Sequence, residues 1–263
     1  MDGNPKQPTT AAQVHPSNPS TSTTIEALDE ATRERIASDW WFRHHAELEA
    51  KERFEQLVQA LTAAGAVAPV VQMAHQAVQD EERHAERCRD VAVHYRPTDP
   101  FAGATPDASS VAPPEWSPQH STLYETVALC CVAETINAAL LTEVLSVATE
   151  PLIRSAVRAI LRDEIQHARL GWAYLASLPH EAFPQPLSTR LPALFEDSIS
   201  EALIAGKTPS AGFACHPHGF LSRSHRLAIF CQSLTTVIFP GLARYPIDLQ
   251  PAQAWFEAQP WRS

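Results

Sequence analysis

The chain has 263 residues, of which 44% are hydrophobic, and it carries a formal net charge of −10 at pH 7. This length and hydrophobic content allow one large domain with a substantial buried core. The acidic balance excludes a nucleic acid or an anionic membrane as a partner bound mainly by charge. The amino-terminal residues lack the basic and apolar segments of a secretion signal, and no uninterrupted apolar run approaches the length of a membrane span. We therefore expect a cytoplasmic protein.

The cysteines predict neither a disulfide framework nor a zinc site. They are Cys88, Cys130, Cys131, Cys215 and Cys231. None of them forms a Cys-x-x-Cys pair, and their odd number is typical of reduced thiols that pack as small hydrophobic residues. Cys215 lies near His216, His218 and His225, but the spacing matches no standard zinc site.

The first part of the chain predicts a tail followed by a helical hairpin. Residues 1–23 are rich in Pro, Ser, Thr, Asn and Gln, a composition that predicts disorder. Thr23 and Glu26 have the spacing of a capping box, which predicts the start of a helix over residues 24–64. A turn with Gly and Pro separates it from a second helix over residues 70–95.

The middle of the chain predicts a long crossover and a second hairpin. Residues 96–120 contain repeated prolines, which exclude a regular element. Thr122 and Glu125 again have the spacing of a capping box, and we expect the third helix over residues 122–148. A proline suits the first turn of a fourth helix over residues 151–177.

The remaining residues predict two shorter helices and a tail. We expect helices over residues 192–205, ended by Gly206, and over residues 222–243, and an irregular tail over residues 246–263. No stretch has a convincing strand pattern. The fold class is therefore all-α. Residues 24–245 form one domain of two antiparallel hairpins joined by a long crossover, the connectivity of one family of four-helix bundles.

Two related motifs interrupt the apolar faces of the second and fourth helices. They are Asp80, Glu81 and His84 in the second helix, and Asp163, Glu164 and His167 in the fourth. A Glu and a His three residues apart project from the same side of a helix and can bind one metal ion. A single such pair often arises by chance, whereas two copies, each preceded by Asp, are a much stronger signal. Each Asp lies four residues before its His, where it can accept the second ring N–H and orient the imidazole.

One carboxylate in each of the other two long helices completes a ligand set. Glu134 has apolar neighbours on every side, and a buried carboxylate is costly unless a cation, a proton or hydrogen bonds compensate it. In the first helix, Glu47 is in line with the apolar face, whereas Glu49 and Glu52 share faces with polar residues. Glu47 and Glu134 are also about as far from the hairpin turns as the motifs opposite them. The predicted ligands are thus Glu47, Glu81, His84, Glu134, Glu164 and His167, with Asp80 and Asp163 as supporting groups.

Four carboxylates and two imidazoles at one level of a helical bundle are the ligands of di-iron and di-manganese carboxylate proteins. Four carboxylates neutralise two divalent ions, and mixed oxygen and nitrogen donors suit iron or manganese. His44, one turn before Glu47, is open to three interpretations: an additional ligand, a supporting group or an ordinary interior histidine.

These residues resemble the ferritin-like superfamily of di-iron carboxylate proteins over about residues 40–177. Asp-Glu-x-x-His in both motifs is similar to the pattern of bacterial soluble di-iron oxygenases. The resemblance implies two iron ions, with manganese as the alternative. It also implies Glu81 and Glu164 as bridging ligands, Glu47 and Glu134 as terminal ligands, and one histidine for each metal.

The same resemblance implies an O2-activating oxygenase or oxidase that acts on a small organic substrate. Its electrons would come from a reductase or a small reductant, because the chain has no flavin or nicotinamide motif. A ferroxidase, a peroxidase or a manganese-catalase-like protein is the first alternative, with iron or peroxide in place of the organic substrate. A non-enzymatic, metal-binding helical module is the second. The substrate itself is not predicted by the sequence.

Overall fold

The computed structural model describes residues 25–103, 108–199 and 216–262, and within this part of the chain the regular elements are all helices, without a β-strand. The all-α prediction is confirmed at this level. The predictions for residues 1–23, Gly206 and Cys215 lie outside the described residues. The α-helices are α1 (Glu30–Ala63), α2 (Ala68–Tyr95), α3 (Pro118–Thr126), α4 (Glu134–Val147), α5 (Pro151–Ser177), α6 (Pro186–Ile199), α7 (Arg223–Ser233), α8 (Phe239–Leu242) and α9 (Gln250–Glu257).

Helices α1 and α2 form the first hairpin, and α1 begins later than its predicted capping box. Asp29 is the N-terminal cap, and its carboxylate accepts a hydrogen bond from the backbone N–H of Thr32 at 2.7 Å. Glu26 lies instead in a short 3₁₀ turn before the helix. The turn after α1 depends on Gly65, which has φ +72°, a left-handed conformation that favours glycine.

Helices α3, α4 and α5 form the second hairpin, and the third predicted helix also has a different cap. Ser117 caps α3 by accepting a hydrogen bond from the N–H of His120. The Thr122 hydroxyl donates to a backbone carbonyl one turn earlier and caps nothing. A π-helical turn, Val127–Ala133, joins α3 to α4 without a break. The capping-box prediction at residue 122 was wrong because a stronger signal, Ser followed by Pro, lies five residues upstream.

The continuous helix Pro118–Val147 is long and apolar enough, by length and composition alone, to cross a membrane. The core helix of a packed helical protein passes the same test. Carboxylates at Glu125, Glu134 and Glu143 interrupt its sequence, which is why no uninterrupted apolar run is visible there. The helix packs against α5, and most of its apolar side chains are buried.

The carboxy-terminal region is more helical than predicted. Helix α6 begins six residues earlier than expected, with Pro192 inside it, and α7 continues through a π-helical turn, Leu234–Ile238, into α8. The predicted irregular tail contains α9, whose Phe256 is buried against the ring of Phe239. That prediction was wrong because a short helix is stabilised by tertiary packing that its own sequence does not show.

A layer of buried polar residues divides the hydrophobic core into two clusters. In α2, the apolar positions up to Ala77 belong to one cluster and those from Cys88 onward to the other. In α5 the order is reversed, because Ile160 belongs to the second cluster and Leu170 to the first. The charged motifs lie between the two clusters in both helices. The core therefore encloses these charged side chains from both ends.

Candidate metal centre

The six residues predicted as metal ligands all lie in the buried layer. Glu47 is the most exposed of them, at 9%. The other five are 4% exposed or less: Glu81, His84, Glu134, Glu164 and His167. Helices α1 and α4 supply one glutamate each, and α2 and α5 supply a Glu-x-x-His pair each. Carboxylates at this depth are stable only if a cation, a proton or hydrogen bonds compensate their charge.

The ligand atoms form two groups that share two carboxylates. The first group is Glu47, Glu81, His84 and Glu164, and the second is Glu81, Glu134, Glu164 and His167. Within each group, one ligand atom of every residue lies within 4.8 Å of the others. Ligands about 2.1 Å from one ion can be at most about 4.2 Å apart, so small side-chain movements suffice to close each group. Each group can therefore hold a metal ion, with Glu81 and Glu164 between the two positions.

Each histidine directs its Nδ1 atom at the shared carboxylates. His84 Nδ1 lies 3.2 Å from Glu81 Oε2 and 3.4 Å from Glu164 Oε1. His167 Nδ1 lies 2.9 Å from Glu81 Oε1 and 3.2 Å from Glu164 Oε2. The two imidazoles thus approach the same pair of carboxylates, from centroids 5.7 Å apart.

The supporting aspartates are paired across the two motifs, which corrects the prediction made from their spacing. His167 Nε2 lies 3.3 Å from Asp80 Oδ2, and His84 Nε2 lies 3.4 Å from Asp163 Oδ2. Each aspartate therefore accepts from the histidine of the opposite helix and not from the histidine four residues later. A ring that donates Nε2–H to a carboxylate keeps its Nδ1 lone pair for a metal ion. The prediction failed because spacing along one helix carries no information about a neighbouring helix.

Polar residues at the edge of the layer hold the two aspartates in place. Asp80 accepts from Gln76 Nε2 at 2.9 Å and from the Arg83 guanidinium. Arg83 also approaches Asp163 at 3.8 Å, and Asp163 accepts from Arg162 Nε at 2.9 Å. Burial alone would raise the pKa of Asp80, but its hydrogen bonds from His167 and Gln76 and the charge of Arg83 lower the pKa to about 2. Asp80 thus remains an acceptor for the His167 ring.

The π-helical turn Val127–Ala133 determines where Glu134 lies. The backbone N–H of Glu134 donates to the carbonyl of Leu129, five residues earlier, which is the π-helical pattern. The turn packs closely against Gly171 of α5. A Cβ atom at that position would lie 2.6 Å from Cys131 Sγ and 2.8 Å from Cys130 Cβ. Sequence reasoning missed Gly171, although a glycine on the apolar face of a helix signals close approach.

The pKa values of the glutamate ligands show how strongly their charges interact. Burial raises the pKa of Glu47 and of Glu134 well above the usual range, and the charges of Glu81 and Glu164 raise both further. Burial would also raise the pKa of Glu164, but hydrogen bonds from Glu134 and from both histidines hold it well below the usual range. Without a cation, burial and the neighbouring carboxylates therefore favour the protonated forms of Glu47 and Glu134.

The same buried layer favours the protonated, cationic forms of the His84 and His167 imidazoles. Burial alone would lower the pKa of His84, but hydrogen bonds with Glu164 and Glu81 raise it to about 10. Burial is likewise outweighed at His167, whose pKa is raised by hydrogen bonds with Asp80, Glu164 and Glu81. Protons thus occupy positions that suit metal ions, and a metal ion that binds here must displace them.

The residues present fit a pair of divalent cations. Glu81 Oε1 and Glu164 Oε1 are buried and accept no well-aligned hydrogen bond from the described residues, although a histidine Nδ1 lies 2.9 and 3.4 Å away. At this depth the lone pairs of such atoms need a cation, a proton or a hydrogen-bond donor, and a divalent ion between the carboxylates would satisfy them. Four carboxylates balance the charge of two divalent ions.

His44 is not a member of either group. Its Nδ1 lies 2.8 Å from the backbone carbonyl oxygen of Ala85, and its ring packs against Trp41 at 5.5 Å. This arrangement agrees with the interpretation as an interior histidine that joins α1 to α2. Cys88 lies closer to the ligands, with Sγ 4.0 Å from Glu47 Oε1, but it too is outside both groups.

The histidine-rich stretch around His216 and His218 has a structural role. His218 is 3% exposed, and its Nδ1 lies 2.7 Å from the hydroxyl of Tyr95 at the end of α2. The carbonyl of Pro217 accepts hydrogen bonds from the N–H groups of Thr149 and Glu150 in the turn before α5. Within the described residues, no metal-binding group includes this stretch. The prediction that it forms no zinc site remains untested at Cys215, which lies outside those residues.

Comparisons of the chain with protein-family models, with curated proteins and with solved structures find no match. The metal-binding interpretation therefore depends on the burial, spacing and chemistry of the residues themselves. These properties are compatible with a di-iron helical protein.

Proposed function

We propose that this protein is a di-iron-dependent oxidoreductase, an O2-activating oxygenase or oxidase that acts on a small organic substrate. The observation that supports it is the pair of four-ligand groups that share Glu81 and Glu164. In this proposal, the helices that supply the ligands form a ferritin-like four-helix bundle. The residues between α2 and α3 are its long crossover.

The donor set favours iron, with manganese as the alternative. The two groups together offer four carboxylates and two imidazoles. Two helices supply one glutamate each, and the other two supply a Glu-x-x-His pair each. This is the ligand set of di-iron and di-manganese bundles. The buried thiols are outside both groups, so the donors differ from those of a thiolate site.

Each ligand has a distinct role in the proposed centre. Glu81 and Glu164 belong to both groups, so each would contribute its carboxylate to both ions. Glu47 and His84 would hold one ion with them, and Glu134 and His167 would hold the other, with the two glutamates as terminal ligands. Bound iron would supply redox chemistry with O2, which no amino-acid side chain provides.

The surrounding residues control charge, orientation and water. Asp163 and Asp80 fix the orientation of His84 and His167 through the crossed hydrogen bonds. The hydrophobic clusters on both sides of the polar layer keep bulk water from the shared carboxylates, which strengthens their attraction for cations. An electron donor, a reductase or a small reductant, is the partner that this chemistry requires.

Metal analysis followed by O2 consumption tests the proposal. We expect purified protein loaded anaerobically with Fe(II) to retain about two irons per chain, in line with the two ligand groups. An O2 pulse should then oxidise the bound iron and consume O2, and addition of a reductant should restore the ferrous state. Protein that takes up no metal, or takes it up without consuming O2, would contradict the proposal.

Variants of the second ligand group test the placement of the centre. Glu134→Ala and His167→Ala each remove a ligand of one position, and we expect each variant to lose at least one of the two metal ions. Glu55→Ala is the matched control because Glu55 is an exposed carboxylate of α1 outside both groups. If either ligand variant still bound two metals as tightly as the control, the centre would lie elsewhere.

A further inference from the structure

The outward face of α5 carries positive charge in an otherwise acidic protein. Its exposed charged residues are all arginines: Arg158, Arg162 and Arg169. Spacings of four and seven residues place them on one side of the helix, opposite the buried ligands. The whole chain has a formal net charge of −10, and only the partly buried Asp163 lies among these arginines. This face therefore attracts anionic groups that the rest of the surface repels.

The neighbouring edge of α2 extends the same charge. Arg83 Nη2 lies 3.8 Å from Asp163 Oδ2, so its guanidinium reaches across the groove between α2 and α5. Arg87 is also exposed and follows Arg83 by one turn on the same side of α2. The crossed Asp–His contacts fix an antiparallel register between the helices, which brings Arg87 to a level between Arg158 and Arg162. We call these five arginines the basic surface: Arg83, Arg87, Arg158, Arg162 and Arg169.

Most of the positive charge of the basic surface is not neutralised. Within the described part of the chain, only two carboxylates contact it, Asp80 and Asp163. Both carboxylates also accept from a ligand histidine. Arg87 and Arg158 have no hydrogen-bond or ion-pair partner among the described residues, and Arg169 donates to a neutral glutamine. The guanidinium groups are thus available to carboxylates of another molecule.

An exposed apolar side chain lies among the arginines. Ile165 is 41% exposed, three residues after Arg162 and four before Arg169, so the three side chains are neighbours on one face. Protein interfaces combine apolar contacts with arginines, whereas a free anion gains nothing from an isoleucine. The basic surface therefore fits a protein partner with acidic residues around an apolar contact.

Hydrogen bonds join the basic surface to the candidate metal centre. Each ligand histidine contacts an aspartate that an exposed arginine also contacts: His84, Asp163 and Arg162 in one series, and His167, Asp80 and Arg83 in the other. The histidine Nε2 atoms lie 3.4 and 3.3 Å from their aspartates. One carboxylate therefore separates each ligand imidazole from the arginines. Because electron transfer weakens steeply with distance, a protein bound here is well placed to exchange electrons with the centre.

We propose that the basic surface docks the electron donor of the oxidoreductase, and that this donor is a small, acidic, one-electron carrier protein. The identity of the partner as an electron donor rests on the proposed function. Each docked donor gives one electron to one ferric ion and leaves oxidised, so two dockings return both ions to the ferrous state without making or breaking a bond. Charge complementarity at this one face lets an acidic partner associate with an acidic protein.

Calorimetric titration with an oxidised, acidic [2Fe–2S] ferredoxin tests the docking. We expect binding to metal-free and to Zn(II)-loaded protein at low ionic strength, and weaker binding as salt screens the exposed charges. Arg87→Glu combined with Arg158→Glu should raise the Kd at least about tenfold, because both charges face the partner. These two residues contact no ligand and no supporting aspartate.

A second double variant is the matched control. Arg89→Glu combined with Arg190→Glu changes the net charge equally, but Arg89 lies on the opposite side of α2 from Arg87, and Arg190 lies in α6 beside Glu115. Its Kd for the ferredoxin should stay within about twofold of the wild-type value. Equal Kd values for the two double variants, or no binding of the ferredoxin at low salt, would overturn the proposal.

Stopped-flow reduction of the diferric protein tests the role of the docked partner. The rate constant with reduced ferredoxin should fall at least about tenfold in Arg87→Glu/Arg158→Glu relative to the control pair. Reduction by the methyl viologen radical cation should not fall, because a small cation gains nothing from the arginines. A loss with viologen as large as the loss with ferredoxin would place the damage in the centre and overturn the assignment.

The titration of metal-free protein separates this inference from the proposed function. Failure to bind iron or to consume O2 would contradict the proposed function, and ferredoxin docking in that protein would support the surface but overturn its role in electron transfer. Iron-loaded protein that consumes O2 but neither binds ferredoxin nor accepts its electrons would overturn this inference alone. Tighter binding of a short DNA duplex than of ferredoxin at the same ionic strength would assign the surface to nucleic acid and also overturn it.

Discussion

Replacing Gly171 by alanine perturbs the contact between α5 and the π-helical turn that positions Glu134. The new methyl group would lie 2.6 Å from Cys131 Sγ, 2.8 Å from Cys130 Cβ and 3.0 Å from the backbone nitrogen of Cys131. Carbon atoms pack at about 3.5–4.0 Å, so one of the two segments must move by about 1 Å. Rotation of a side chain relieves only the contact with sulfur, because the other two atoms belong to the main chain or its first carbon.

Two opposing effects determine the stability of Gly171→Ala. Alanine inside a helix is favoured over glycine by about 0.5–1 kcal/mol. Overpacking of a filled core costs about 1–3 kcal/mol, and the backbone contact puts this site at the upper end. The net result should be a loss of about 2 kcal/mol in the free energy of unfolding of the metal-free protein.

The same movement should weaken metal binding at the second group. Metal–ligand distances tolerate changes of about 0.2 Å, far less than the displacement that the methyl group requires. Gly65→Ala is the control, because Gly65 has φ +72° and no atom within 4 Å of an added Cβ. It should lose about 1 kcal/mol through backbone strain and leave metal binding unchanged.

Denaturant unfolding and Co(II) titration of both variants measure the two effects. We expect Gly171→Ala to bind one Co(II) as the wild type does and the second much more weakly. If Gly171→Ala bound both ions with wild-type affinity, the turn would not position Glu134 and the reasoning would be refuted.

Two further predictions concern the histidines. Asp80→Ala should lower metal affinity about 10- to 100-fold. In double variants measured by metal titration, the loss of affinity from Asp80→Ala should add to that from His84→Ala but not to that from His167→Ala, because Asp80 contacts His167. The opposite result would show that Asp80 instead supports His84 of its own motif. Burial lowers the pKa of His218, so the unfolded chain gains a proton below about pH 6.5 that the native protein does not, and stability is lost as the pH falls. His218→Gln should flatten this loss in unfolding experiments between pH 7 and 5 relative to His180→Gln at an exposed position, and equal slopes would contradict it.

The sequence was sufficient to predict the long helices and the six candidate ligands. Helix α5 has the predicted bounds, and α2 begins within two residues of its predicted start. All six candidate ligands are buried together. These features are local or nearly so, because a period of 3.6 residues places Glu81 and His84 on one side of a helix whatever surrounds it. The equal lengths of the hairpin arms then bring Glu47 and Glu134 to the same level.

The tertiary structure decided how the candidate site is arranged. Only packing of α2 against α5 brings Asp80 to His167, because the partner lies 87 residues away in the chain. The π-helical turn before Glu134 packs closely against Gly171, a contact between two helices that neither helix's own sequence shows.

The amino-acid sequence alone thus determined which side chains are buried and charged, because burial follows from helical periodicity. It left open which partners those side chains contact, because the partners come from neighbouring helices whose relative rotation and separation depend on the whole core. Glu81 and His84 share a helix face by local geometry, whereas the crossed pairs and the approach of Gly171 to the π-helical turn exist only in the packed molecule.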